Sequence, residues 1–458
     1  MNESTAPSRI RIKQGLNLPI AGRPEQVVYD GEPVRHVALC GPDYQGLKPR
    51  LLVAEGDTVS LGQPLFIDKR DPAVNYVSPG TGIVTAINRG ARRVLESVVI
   101  RLEDEPSDAV SFEASPDEEI SRLEPGLVAE QMQKSGLWTA FRTRPFNRVP
   151  QSGSWPRSIF VTAIDTRPLA ADPRAVIGQA EAEFAAGLQL VAKLAQKSLY
   201  LCTAPGWDID LPAIDNLQRV EFSGPHPAGL PGTHIHFLDP VNASRVVWHL
   251  GCQDVIAIGR FFMSGVLDTR RIVALGGSNV IQPRLVATRL GACITELVDG
   301  SISQAEETRL IAGSLLDGRT ASGNLVYLGR YQHQLTAIPE AGSRHLFGWT
   351  GLSPRLYTAA PTLLRKMGHK RRHDFSTAQN GRFSGMVPMR AFDKVTPLDI
   401  LPSPLFRALL VRDTDQAQAL GCLELDSEDL SLCSFLCPAK NDYGAALRLN
   451  LEKIEREG

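Results

Sequence analysis

The sequence lacks a long apolar run. Its most apolar stretch, "VVWHLGCQDVIAIGRFFMSGVL" (residues 246–267), is interrupted by His249, Gln253, Asp254 and Arg260. It is therefore expected to form a core helix with one wet face, not a bilayer span. The N-terminal "MNESTAPSRIRIKQG" has no apolar segment of the kind a secretory signal needs. Charge of one sign is also missing: 49 basic residues face 50 acidic ones, for a net charge of −1. That balance gives no reason to expect nucleic acid binding. No G-x-G-x-x-G follows a strand, and no G-x-x-x-x-G-K-[ST] occurs. "LGGSN" (residues 275–279) follows a strand pattern but opens no helix, so a turn is expected there. No C-x-x-C occurs either. The 7 cysteines are scattered, mostly among apolar neighbours, as in a reduced intracellular protein.

What is present reads as ordinary globular material, 43% apolar and 22% charged over 458 residues, enough for several domains. The first hundred residues are rich in strand signals. "VAEGDTVSLGQPLFI" (residues 53–67) and "VNYVSPGTGIVTAINRG" (residues 74–90) alternate apolar and polar residues around glycine turns. The pattern V-x-E-G-D-x-V-x-x-G-Q-x-L, followed by S-P-x-x-G-x-V, resembles the lipoyl/biotinyl barrel-sandwich fold. Lys69 in "IDKRDPAV" invites comparison with a lipoylated lysine. Its position relative to Leu65 and Pro79 suggests instead a solvated turn lysine.

An acidic stretch, residues 103–119, reads as a linker. "RSIFVTAID", "QAEAEFAAGLQLVAKLAQK" and "SLYLCTA" then read as strand, helix and strand, which implies a parallel right-handed crossover. After residue 269 the pattern shifts to short strands with a helix at "CITELVDG". The last part mixes loops and helices, with a basic run "HKRRHD" (residues 369–374), and closes on the helical "DYGAALRLNLEKIEREG". The expected architecture is a multidomain α/β and α+β chain. A lipoyl-like β domain spans residues 1–102, and a linker and loop 103–153. A Rossmann-like α/β domain covers 154–268, a β-grasp-like module 269–342, and a mixed helical domain 343–458.

Three stretches carry candidate chemistry. "LCSFLCP" holds Cys433 and Cys437 before Pro438, as iron–sulfur runs often end. A helix capped by Ser427, with Glu428 and Asp429 at its positive end, would instead put Leu430, Cys433 and Cys437 on one buried face. "GPHPAGLPGTHIHF" holds His226, His234 and His236. On a strand the last two would share a side, yet the glycines and prolines favour a structured loop over a metal site. "SGLWTAFRTRPFNRVP" (residues 135–150) sets Trp138, Phe141 and Phe146 among Arg142, Arg144 and Arg148. Aromatic faces beside guanidinium donors suit an anion, a partner or a flat ligand. The bland alternative is an amphipathic loop joining domains, its arginines paired with acids on neighbouring domains.

Together "KQGLNLPIAGRPEQ", "INRGARRVLESVVI", "SGLWTAFRTRPF", "GPHPAGLPGTH", "YLGRYQ" and "CLELDSEDLSLCSFLCPAKNDYG" resemble, in order, the A-subunit family (NqrA) of the sodium-translocating NADH:quinone oxidoreductases. Residues 1–8 stand as an extra tail. That family is similar to the C subunit of Rnf complexes and, more distantly, to the NADH/FMN subunit of complex I. In those relatives a glycine-rich flavin loop stands where Trp138, Thr139, Phe141, Arg142 and Arg144 stand here. The resemblance therefore implies a chain with no flavin, iron–sulfur cluster or metal of its own. It implies a peripheral place on the cytoplasmic face of the bacterial inner membrane, among membrane-embedded partner subunits. The whole complex would pass electrons from NADH to ubiquinone and export Na⁺. Quinone or partner contact is expected near Tyr44 in "CGPDYQGL" and near Trp138, Phe141, Arg142, Arg144 and Phe146. The alternative is a stand-alone soluble flavin- or nicotinamide-dependent oxidoreductase, which the missing phosphate loops disfavour.

Overall fold

The computed structural model describes residues 8–103, 109–341, 357, 372–381 and 383–457. Most of the basic run, residues 369–371, and the start of the N-terminal tail, residues 1–7, lie outside the described residues. The strands from His36–Cys40 to Leu95–Leu102 make two small sheets facing each other, one of four strands and one of three. Val37, Val59, Leu65, Phe66, Val84, Val98 and Ile100 fill the space between them, as the alternating pattern requires. Lys69 sits exposed in the turn between Pro64–Asp68 and Asp71–Val77.

The expected 1–102 unit gives away its first two strands. Ser8–Arg11 runs parallel to Leu217–Ser223 at the edge of the α/β sheet, and Glu25–Asp30 pairs with Arg284–Arg289 in the β-grasp sheet. Neither strand can satisfy its backbone within the closed sandwich, and each finds a free sheet edge instead. The expected linker 103–153 is likewise built in. Ala109 bridges to Leu61 and Ser111 to Val266. Arg142–Arg144 is a strand, antiparallel to Val247–Gly251.

The α/β sheet has six strands, and its inner four follow the order Leu217–Ser223, Ser198–Thr203, Ser158–Ala163, Val247–Gly251. All are parallel. The chain moves outward from Ser158–Ala163 in one direction and then crosses to its other side, which creates a topological switch point. Residues 246–267 are not one helix. Val247–Gly251 is a strand and Cys252–Ser264 a helix, with Gly251 between them in extended conformation. A strand buried on both faces is apolar throughout, so periodicity cannot separate it from the helix that follows. The helices Glu181–Ala192 and Cys252–Ser264 cover one face, packed so closely that a Cβ on Gly187 or Gly259 would strike backbone at 2.0 or 1.9 Å.

The β-grasp-like module carries a second six-stranded sheet, with Ile294–Leu297 as its short helix. The described part of the last domain is helical from Arg390–Val395 to Tyr443–Glu457. Phe392, Phe406, Cys433, Cys437, Tyr443 and Leu447 form its core. Among the described residues no helix is long and apolar enough to cross a membrane.

Candidate functional site: an arginine loop between three domains

The loop at residues 135–150 lies where the sandwich, the α/β domain and the helical domain meet. Trp138 is buried, donates from Nε1 to the Pro150 carbonyl at 2.8 Å, and meets Phe141 and Trp248 edge-on. Phe141 is fully buried beside them. Arg144 is 0% exposed. Its Nη1 donates to Asp429 Oδ2 at 2.9 Å and to the Glu424 carbonyl at 3.2 Å, and its Nη2 donates to Glu428 Oε1 at 2.9 Å. Asn147 donates to Asp426 Oδ2 at 2.5 Å. Phe146, at φ +75°, packs on the helical domain's core. Trp138, Phe141 and Arg144 thus offer no surface to a ligand in this conformation.

Arg142 is half-buried, with its guanidinium carbon 4.8 Å from the centre of the Tyr331 ring. Tyr44, the other singled-out aromatic, is buried edge-on against Phe66, Tyr76 and Tyr331. It also borders a small cleft of about 80 Å³ with Tyr76, Arg70, Arg148 and Glu455. Of the residues expected to make contact only Tyr44 lines this cleft; the loop reaches it through Arg148, Val149 and Pro150 instead. Arg148 pairs there with Glu455.

The acids around Arg144 belong to a larger buried group. Arg167 pairs with Glu428, Asp165 and Asp317. Burial alone would push Glu428 up, but Arg167, Arg142 and Arg144 hold it down at about 2. Asp426 caps the helical turn Ser427–Leu430, and Asp429 reaches back to its amide, completing a capping box. The cap is thus Asp426, not Ser427, because an aspartate one residue earlier takes both the turn's amide and the loop's Asn147. Glu428 and Asp429, expected to serve the helix dipole, chiefly neutralise arginines of another domain. The sequence leaves open whether the loop's arginines pair with acids of neighbouring domains and cannot name those acids, since Arg144 and Asp429 stand 285 residues apart.

The histidines divide. Pro231–Leu238 is a helix, so His234 and His236 do not share a side as they would on a strand. Proline at its start presets the helical φ, and the preceding Gly-Pro loop is spent on the entry turn. Burial lowers His226 and His234 to about 3, which keeps both neutral. His236 donates from Nδ1 to Glu424 Oε2 at 2.7 Å and accepts the Asp399 amide at Nε2. Among the described residues no group of three or more His, Cys, Asp or Glu side chains is placed to hold a metal ion. Cys433 and Cys437 are buried, in contact with the Thr396 and Tyr443 hydroxyls at 3.4 and 3.2 Å. Burial raises the Cys433 thiol to about 12, the state of an inert core cysteine.

At the switch point, Arg330 Nη1 donates to Asp254 Oδ1 at 2.6 Å, and Arg271 reaches the same oxygen at 3.0 Å. Thr162 Oγ1, His249 Nε2 and His333 Nδ1 nearby are buried and have no hydrogen-bond partner among the described residues.

Models of known families match three parts of the chain: the NqrA N-terminal barrel-sandwich hybrid domain over residues 10–103, the NqrA second alpha/beta domain over 123–267, and the NQRA C-terminal domain over 272–323. Among curated relatives, the A subunit of the Na(+)-translocating NADH-quinone reductase of Neisseria gonorrhoeae strain FA 1090 is 49% identical over 98% of this chain and 100% of its own length. Its counterpart of the same name from Pasteurella multocida strain Pm70 is also 49% identical, with the same coverage. A solved NAD⁺-reducing [NiFe]-hydrogenase chain aligns with a TM-score of 0.39 at 10% identity, covering 77% of this chain and 66% of its own. On identity and coverage together, the chain belongs to the A-subunit family, NqrA, of the Na⁺-translocating NADH-quinone reductases.

Proposed function

We propose that the chain is a peripheral component of such a reductase, docked to membrane-embedded subunits at the cytoplasmic face and holding no flavin, cluster or metal of its own. Its part in passing electrons from NADH to ubiquinone, and in Na⁺ export, is then to shape and stabilise the complex. The observation that carries this reading is Arg144, fully buried with its guanidinium spent on Glu428 and Asp429. A loop so committed clamps domains together, and bulky buried Trp138 and Phe141 leave no open backbone for a phosphate. The test is the visible spectrum and metal content of the purified chain. Absorbance near about 450 nm at one flavin per chain, or stoichiometric iron, contradicts it.

A second reading, contact with quinone, is favoured by the convergence of Tyr44 and Arg148 on one cleft. The cleft is small and open, so this contact would sit at the edge of a site completed by another subunit. Photolabelling of the intact complex with an azido-quinone tests it. Label within residues 40–47 or 141–150 supports the contact, and label confined to other subunits overturns it.

A further inference from the structure

Open α/β sheets receive ligands in the crevice beyond the carboxyl ends of their strands, at the switch point. Here that crevice lies between the ends of Ser158–Ala163 and Val247–Gly251. It is already occupied. The segment 330–334, which leads into the β-grasp strand Gln334–Pro339, runs across it and ties down both sides. On one side Arg330 binds Asp254, in the first turn of the helix that follows Val247–Gly251. On the other, Gln334 Nε2 donates to the Pro168 carbonyl at 2.7 Å, just beyond the end of Ser158–Ala163. Between them, the Tyr331 ring lies under Arg142 and its hydroxyl donates to the Thr139 carbonyl at 2.8 Å. The His333 ring lies over Gly251, whose missing Cβ would sit 3.6 Å from Nε2.

We infer that residues 330–334 are an internal plug, a piece of the β-grasp module seated where a doubly wound sheet would hold a ligand. Its anchoring supports it. The plug is held by groups from three parts of the chain: its Arg330 amide also donates to Asp43 Oδ2 of the sandwich at 2.8 Å, and its Arg330 Nε to Thr139 Oγ1 at 3.4 Å. Thr162, paired with Gly251 at the carboxyl ends of the two strands, has no hydrogen-bond partner for its Oγ1 among the described residues. The plug stands on topology and hydrogen bonding alone, independently of the family assignment. It accounts physically for a sheet of ligand-binding topology that has its own residues in the ligand's place.

Amide hydrogen exchange of the full chain tests it. The variant Arg330→Ala/Tyr331→Ala/His333→Ala should remain folded. It should exchange at least about tenfold faster in peptides covering residues 163–168 and 251–255, with the sandwich strand Leu95–Leu102 unchanged. Unchanged exchange at the two strand ends would mean that the segment merely passes over a crevice closed without it, and would overturn the inference. Should the triple variant unfold globally, His333→Ala replaces it. A local acceleration confined to residues 251–255 then supports the plug, and no change there overturns it.

Discussion

Arg144 and Arg148 stand four residues apart on one loop, and the structure uses them differently. Arg144 is sealed between the α/β and helical domains, with Glu428 and Asp429 as partners. Arg148, 17% exposed, lines a cleft shared with the sandwich and pairs with Glu455, whose side chain is 31% exposed. The residue type, the loop and the kind of partner are the same; burial differs. A buried charge deprived of its partners has nowhere to go, whereas a surface charge turns to water. Arg144 is therefore committed to the fold, whereas Arg148 keeps an edge on the cleft.

The contrast can be broken most forcefully at its buried end. Arg144→Ala leaves Asp429 and Asp426 without their cation and Glu428 with Arg167 alone. The expected loss is about 3–5 kcal/mol of unfolding free energy, read from denaturant or thermal unfolding, with the helical domain becoming the first site of proteolysis. A variant as stable as the parent would show that the acids had other partners.

Acid should act on the same side of the molecule. His226 and His234 sit at about 3 in the folded chain because they are buried, against an ordinary value of about 6.5. Between those values the unfolded chain binds protons that the folded chain refuses, so stability falls as pH is lowered from about 6.5 towards 3 and is full above that range. Each histidine accounts for a loss of at most about 3 kcal/mol by pH 4. A melting temperature flat from pH 7 to pH 4 would mean that these rings are not held neutral.

Smaller effects are expected at the cysteines. Cys433→Ala and Cys437→Ala should each cost about 1–2 kcal/mol, as small core truncations do, with turnover of the assembled reductase preserved. Loss of turnover in a folded, assembled complex would assign the thiols a chemical role. Smallest of all, Arg148→Ala should change stability by less than about 1 kcal/mol, and by less still at high salt. A large loss there would erase the distinction between the two arginines.

How much of this was legible differs by region. The sandwich could be read because its glycine turns and alternating strands lie within 40 consecutive residues or so, where local geometry dictates pattern. Pairings across the chain left no such trace. Nothing in "SRIR" says that it will edge a sheet built two hundred residues later, and Val247–Gly251 merges with its helix because both are buried. At the site, Arg142, Arg144, Trp138 and Phe141 stood out by composition, but composition is blind to burial. The acids of residues 426–429 were visible as a helix start and silent about Arg144. The plug at 330–334 carried no signal beyond a family motif, since only topology puts it at the switch point.

A double-mutant cycle between Arg144→Ala and Asp429→Asn, measured by chemical unfolding, reads the clamp at Arg144 directly. Direct buried contact predicts strong non-additivity, a coupling of about 1–3 kcal/mol, alongside a coupling near zero for Arg144→Ala with Glu455→Gln. Additive losses for Arg144 and Asp429 would contradict the account.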